Sequence, residues 1–213
     1  MQKMTYFFDV DGTLIDSMKY GWDNIILKYL KDRNIEYPDN IIAETVTKGF
    51  MGIAHFFVDK LGVKEEPQTL YDYFMEALEP MYQNDFPAKQ GAMEFVEKLR
   101  ADGCKLSVIS GSPLRFVVPC LKRLGLYDLF DNVFSLEEFG HTKVEPELFL
   151  ALADKVNVKP ENCTVIDDSI NAIKTAKRAG FKTIGMYDIV GMKDWDEMQS
   201  VADKTAYSFL DLM

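Results

Sequence analysis

Residues Thr5 to Leu14, reading TYFFDVDGTL, constrain this chain more than any other stretch. The aromatic run Tyr6, Phe7 and Phe8 reads as a buried strand, and it breaks at once into Asp9, Val10, Asp11, Gly12 and Thr13. An apolar strand ending in carboxylates and a glycine is the expected form of a site at the carboxyl edge of a sheet. Asp9 and Asp11 lie two apart, so in extended or just-turning backbone both carboxylates can face one side. Gly12 lets the chain turn sharply, and the Thr13 hydroxyl can hold the turn. Two close carboxylates in a dry crevice repel, so a positive group is expected between them, most simply a divalent metal. The plainer reading is an Asp/Gly turn after a strand. What separates the two is whether partners of matching chemistry stand at the ends of other strands.

The remaining chain must therefore supply a sheet. Its 213 residues suffice for one generous domain or for a core with a smaller insert. With 47% hydrophobic and 27% charged residues it has the composition of a globular protein. A net charge of −10 speaks against nucleic acid and anionic membrane as partners, since both need basic patches. It does not speak against a small anionic substrate, because a metal and a lysine or two can reverse the field locally. Cys104, Cys120 and Cys163 are odd in number and form no ligand cluster, which fits a reducing compartment and a packing role. No stretch is apolar for long enough to span a bilayer, and no signal peptide precedes the first strand. A cytoplasmic protein, monomeric or weakly dimeric, is expected.

After Leu14 the character becomes helical. Asp16 or Ser17 can cap a helix with the apolar stripe Trp22, Ile25, Ile26, Tyr29 and Leu30. Further helices are expected over Pro38 to Lys48, Gly52 to Leu61 and Thr69 to Tyr82, separated by Gly49, Gly52, Gly62 and Pro67. No strand is expected between Ile15 and Pro87. From Ala88 onward helices alternate with short apolar runs, giving strands at Lys105 to Ile109, Asn132 to Ser135, Cys163 to Ile166 and Lys182 to Met186. Helices are expected around Ala92 to Leu99, Arg115 to Leu124, Glu147 to Val156 and Ile170 to Ala179. Such alternation implies an α/β fold, a doubly wound parallel sheet with helices on both faces. The domain reading is a core of residues 1–15 and 88–213 with an inserted helical cap of residues 16–87. The two crossings, Ile15 to Asp16 and Phe86 to Ala88, are candidate hinges for a closing lid.

Three strand ends now carry polar groups: Asp9 with Asp11, Ser110 with Gly111, and Asp167 with Asp168. Lys143 stands before a helix start at Val144-Glu145-Pro146. Together they make a phosphoryl-transfer set. Asp9 is placed as a nucleophile that forms an acyl phosphate. Asp11 can protonate the leaving alcohol and later deprotonate the hydrolytic water. Ser110 and the Gly111 N–H would hold phosphate oxygens, with Lys143 neutralising their charge. Asp9, Asp168 and Asp11, the last through a nearby backbone carbonyl, give an oxygen-only site suited to Mg²⁺, with Asp167 either a further ligand or a neighbour of the ligands. The cations are essential to this reading. Two like charges ~4 Å apart repel by about 1 kcal/mol in water and about 4 kcal/mol at an effective dielectric near 20.

Asp9-Val-Asp-Gly-Thr13, Ser110, Lys143-Val-Glu-Pro146 and Val165-Ile-Asp-Asp-Ser169 resemble the four motifs of the haloacid dehalogenase-like hydrolase superfamily. The similarity covers essentially the whole chain, including Ala176-Lys-Arg-Ala-Gly180 and the stretch from Ala202 to Leu212. The helical insert is similar to the α-helical cap of the phosphoglycolate phosphatase and β-phosphoglucomutase branch. The resemblance implies a Rossmann-like core with chain-order strands 3-2-1-4-5 and a Mg²⁺-dependent phosphatase acting on a small phosphorylated metabolite. Dehalogenases of this superfamily lack the second aspartate, so Asp11 points to phosphate chemistry. The mutase branch carries a histidine where Gly21 stands and an arginine within the segment corresponding to Lys48-Gly-Phe-Met-Gly52, so mutase activity is disfavoured.

Substrate choice is expected in the insert. Lys48, in a flexible segment reaching to Gly52, is the first specificity candidate, followed by Lys19, Ser112 and Arg115. The insert's many aromatics and methionines read mostly as its own core. His55 reads as a packed histidine and His141 as a surface one. The rival enzyme readings are a sugar-phosphate mutase and a phosphonate hydrolase. A rival of another class is a phosphoacceptor signalling module, but such modules put the acidic pair on the first strand and the acceptor aspartate later, without an insert.

Overall fold

The computed structural model describes residues 4–45 and 48–213. Strand β1 (Thr5–Phe8) is followed by helix α1 (Ser17–Gly21), a π-helical turn over Trp22–Ile26, and α2 (Leu27–Asp32). Three more helices follow, α3 (Ile41–Thr45), α4 (Gly49–Leu61) and α5 (Pro67–Asn84). The chain then alternates: α6 (Ala92–Ala101), β2 (Lys105–Ser110), α7 (Leu114–Arg123), β3 (Asn132–Ser135), α8 (Pro146–Lys155) and β4 (Cys163–Asp167). It closes with α9 (Ile170–Arg178), β5 (Lys182–Met186), α10 (Trp195–Val201) and β6 (Lys204–Ala206).

The strands form one parallel sheet in the order β3-β2-β1-β4-β5-β6. The expected order 3-2-1-4-5 is present, with β6 added at the edge. That strand is short and half polar (Lys204, Thr205, Ala206), so no apolar run announces it. Side chains alternate between the two faces, as a strand dictates. Phe8, Val108 and Ile166 enter one buried cluster, while Phe7, Ile109 and Val165 enter the other. Phe8 sits among Phe95, Phe130 and Phe209 at centroid distances of 6.4, 5.5 and 6.3 Å. On the opposite face Phe181 stands 6.0 Å from Phe7 and 5.7 Å from Phe149.

The helical segment does not bury its apolar residues apart from the sheet. Tyr29, Phe57, Phe74 and Tyr82 belong to the same cluster as Phe8 and Val108. Two helices differ from the sequence expectation. Of the helix expected over 38–48, α3 occupies 41–45, and 46–47 lie outside the described residues. Gly49, at φ +64°, turns the chain directly into α4, so the flexible segment expected from Lys48 to Gly52 is instead the first turn of that helix. Gly52 acts as a spacer there, since a Cβ would stand 2.7 Å from Lys48 Cβ. His55 is exposed, not packed, because α4 turns Ile53, Ala54 and Phe57 inward.

The two crossings lie side by side. Ile15 and Ala88 form an antiparallel bridge, Asp16 N–H donates to Pro87 O at 2.9 Å, and Lys89 N–H donates to Leu14 O at 2.9 Å. Arg123 on α7 donates to Phe86 O at 2.6 Å, which anchors the returning strand of this joint.

The C-terminal turn, Phe209–Leu212, closes the face of the sheet over Gly91. Phe209 is fully buried and its N–H donates to Gln90 O at 3.0 Å. Gly91 has φ +77°, and a Cβ would meet Leu210 N at 2.8 Å. Gly91→Ala is therefore expected to lower stability in urea by roughly 1–3 kcal/mol. The loss should exceed that of Gly62→Ala, where φ is +69° but nothing lies within 4 Å; equal losses would show that the contact with the C-terminal turn does not matter.

Candidate active site

The site grows from the end of β1. Asp9 N–H donates to Ile166 O on β4 at 2.9 Å, which holds the first aspartate between the two central strands. The chain then folds on itself: Thr13 and Ile15 N–H groups both donate to Val10 O, at 3.2 and 3.0 Å. Gly12 makes this turn at φ +80°, and a Cβ there would lie 2.5 Å from Asp168 Oδ2. Only a glycine lets the loop approach that carboxylate so closely. Thr13 Oγ1 donates to Asp168 Oδ1 at 3.2 Å, joining the first strand end to the fourth.

Lys143 comes from the loop before α8. Its ammonium bonds Asp9 Oδ1 and, at 2.7 Å, Asp167 Oδ2. The other Asp167 oxygen accepts Ser169 N–H at 2.8 Å. Asp9, Asp167 and Asp168 each offer a carboxylate oxygen within 4.8 Å of the others. Burial pushes the Asp9 carboxyl up to about 7, with Lys143 pulling it back and Asp167 and Asp11 adding to the rise. Burial also raises Asp168, reinforced by Asp9 and Asp167. Burial opposes the Lys143 charge, yet Asp167 and Asp9 outweigh it, and its pKa rises above the ordinary lysine value. Three carboxylates against one ammonium leave an excess of negative charge in an oxygen-only setting. A divalent cation suits that donor set.

Asp11 faces elsewhere. Its carboxylate accepts Ser17 Oγ at 2.7 Å, Ser112 Oγ at 2.7 Å and the Tyr82 hydroxyl. The carboxylates the fold gathers are Asp9, Asp167 and Asp168, so Asp11 is left to offer a metal its backbone carbonyl and not its side chain. The turn at Gly12 separates the two aspartates of the first motif, and three hydroxyls satisfy the second. Burial, with Asp11 beside it, raises the Tyr82 phenol well above its usual value, so it stays neutral and donates.

Ser110 is fully buried at the end of β2, where its Oγ accepts Ser112 N–H at 3.0 Å. Gly111 and Ser112 continue onto the wall of a cleft of about 660 Å³. Asp9, Asp11, Lys143, Asp167 and Asp168 border the same cleft. Of the specificity candidates, Lys48 and Ser112 border it. Lys19 and Arg115 are exposed and are not part of its lining; the Arg115 guanidinium stands 4.9 Å from the Phe116 ring centroid. His141 is half-buried, with Nδ1 3.4 Å from Glu145 Oε1.

Two participants escaped sequence reasoning. Tyr82 reads as one of many aromatics at helical spacing, and nothing in the pattern marks its hydroxyl. Ser17 reads as a helix cap, although the Asp-x-Asp turn six residues upstream supplies its actual partner. Among the described residues no helix is long and apolar enough to cross a membrane.

The family model of the haloacid dehalogenase-like hydrolases matches residues 3–180. A phosphoglycolate phosphatase of Psychrobacter arcticus is 29% identical over 193 residues, covering 87% of this chain and 84% of that protein. A predicted phosphoglycolate phosphatase from Haemophilus somnus superposes with a TM-score of 0.81 at 24% identity, over 100% of this chain and 97% of that one. The magnesium-bound HAD-type protein YfnB of Bacillus subtilis superposes with a TM-score of 0.76 at 20% identity, over 100% of this chain and 97% of that one. With its family match running from the first strand past the fourth, and its strand ends carrying the matching motifs, the chain belongs to the haloacid dehalogenase-like hydrolases.

Proposed function

We propose that the protein is a Mg²⁺-dependent phosphatase that hydrolyses a small phosphorylated metabolite, a phosphomonoester, through an aspartyl phosphate on Asp9. One observation carries this reading: a buried carboxylate borders the cleft with an ammonium bonded to it and two further carboxylates beside it. The phosphatase named in Psychrobacter arcticus supports the same chemistry.

In the first step an Asp9 oxygen bonds to phosphorus as the bond to the alcohol oxygen breaks. Asp11, which must enter this step carrying a proton, gives it to the departing alkoxide. In the second step Asp11 takes a proton from water, whose oxygen attacks phosphorus, releasing phosphate and restoring Asp9. The hydroxyls of Ser17, Ser112 and Tyr82 hold Asp11 in place for both transfers. Gly111 N–H and Lys143 receive the phosphate oxygens, Ser110 lies buried directly behind Gly111 with only its hydroxyl proton left to offer, and Asp167 fixes Lys143 from behind. Asp9, Asp168 and the Asp11 backbone carbonyl would hold the metal. When bound, Mg²⁺ offsets the repulsion between carboxylate and phosphate. In this reading residues 1–15 and 88–213 carry the chemistry and residues 16–87 choose the alcohol, with Lys48 and Ser112 at the boundary.

Asp9→Asn is expected to lower phosphate release from a generic aryl phosphate by at least roughly a thousandfold, as loss of a nucleophile does, and chelation should abolish the release. Activity that survives the substitution removes Asp9 as nucleophile. Gly12→Ala pushes against Asp168 and should weaken Mg²⁺ binding by about 10–100-fold in calorimetry, the usual cost of disturbing a ligand's support. Unchanged affinity would place the ion away from Asp168.

The raised Asp9 pKa sets a pH dependence. Its carboxyl titrates at about 7 in the metal-free fold against 3.8 for an ordinary aspartate, so between these values the folded chain binds more protons than the unfolded one. Asp9 therefore costs the metal-free protein stability as pH rises through that window, and Asp168, raised by burial, acts in the same direction. A cation needs the ionised forms. Added Mg²⁺ should thus raise Tm more at about pH 8 than at about pH 5. Equal shifts at both would exclude these carboxylates as its ligands.

A further inference from the structure

The cleft has two unlike walls. The core contributes the carboxylates, with Asp9, Asp168, Glu137 and Asp194 beside Lys143, though Phe116, Leu136 and Ile170 also border the cleft from that side. The insert contributes Met18, Phe50, Met51, Tyr71, Met75 and Leu78. Among the side chains the structure describes in segment 16–87, which exclude those of residues 22, 23, 43, 46 and 47, no Asp, Glu, Asn, Gln, His or Arg borders the cleft. Its polar contributions there are Lys48, which is exposed, and the hydroxyls of Ser17, Tyr71 and Tyr82, of which Ser17 and Tyr82 already donate to Asp11.

Such a wall selects by what it cannot satisfy. A polyol set against it would leave hydroxyls without partners, and each unpaired polar group is costly once water is excluded. A short hydroxy acid would leave most of about 660 Å³ unfilled, a volume within the range of sites for drug-sized ligands. An apolar ring loses nothing. Three of the lining side chains are thioethers, which adapt to irregular shapes and make favourable contacts with aromatic rings. Gly21 also borders the cleft, and a Cβ built on it would meet nothing nearer than Leu78 Cδ2 at 3.8 Å. The glycine leaves that space to the ligand instead of filling it.

We propose that this site takes phosphomonoesters of alcohols whose body is apolar and ring-sized, seated against Met18, Met51, Met75 and Leu78. The inference rests on the phosphatase reading above and adds the class of leaving group. It separates this chain from a relative that acts on phosphoglycolate.

The test compares kcat/KM, with Mg²⁺ present, for 2-phenylethyl phosphate, glycerol phosphate and phosphoglycolate. All three are esters of primary alcohols, so intrinsic reactivity does not decide the order. The phenylethyl ester should lead both others by at least about tenfold, the scale on which apolar pockets discriminate. Met51→Gln makes the wall polar at a half-buried position, and Gly21→Leu fills the open space. Each should shrink that lead severalfold, through KM. A lead for phosphoglycolate or glycerol phosphate overturns the apolar assignment while leaving the phosphatase intact. A lead for the phenylethyl ester that neither variant alters removes the insert wall as its cause. No phosphate release from these esters or from a generic aryl phosphate defeats the phosphatase reading itself, and this inference with it.

Discussion

Repulsion among buried carboxylates is the constraint around which the molecule is arranged. Asp9 and Asp167 are almost fully buried, Asp168 is half-buried, and all three sit at the ends of the two central strands. In a medium of low polarity such a group tolerates its own charge only with cations beside it. Lys143 supplies one by bonding Asp9 and Asp167 together. Burial raises Asp9 and Asp168, the neighbouring carboxylates add to the rise, and the excess of negative charge leaves a place for a second cation. A parallel sheet is well suited to hold this arrangement. Its strands are fixed on both faces by Phe7 and Phe8 and their neighbours, so the loops at its carboxyl edge cannot relax apart.

The second aspartate of the opening motif belongs to a different network. Ser17 and Tyr82 reach it from the helical segment, and Ser112 reaches it from the loop after β2. Tyr82 also meets Phe86 edge-on at 4.9 Å and lies tilted 5.5 Å from Phe116, so its hydroxyl is set by packing that spans both parts of the chain. The chemistry assigned to Asp11 therefore depends on how the insert is seated, whereas Asp9 is held by strand β4 and Lys143, both outside the insert.

Much of this was legible in the sequence because it rests on local signals. Strand ends at 9, 110 and 167 follow short apolar runs, and β2, β3, β4 and β5 lie within a residue of their expected limits. What stayed hidden depends on tertiary direction. Gly52 breaks a helix by propensity but here allows Lys48 to fold over the first turn of α4. Asp167 and Asp11 have the same chemistry, and only the turn at Gly12 decides which of them joins Asp9. Strand β6 has no apolar signature because it needs just one paired edge against β5. The Tyr82 hydroxyl is invisible to periodicity, which reports faces and not atoms.

The pairing of Ile15 with Ala88 has a consequence for how such a chain can diversify. The excursion between them leaves and re-enters the core at neighbouring points, so the sheet's register is indifferent to what lies in between. Closing a longer or shorter excursion between the same two points alters the conformational entropy only logarithmically. The excursion is thus free to vary in length and sequence wherever Ser17 and Tyr82 still reach Asp11, the two points at which it enters the phosphate end of the cleft.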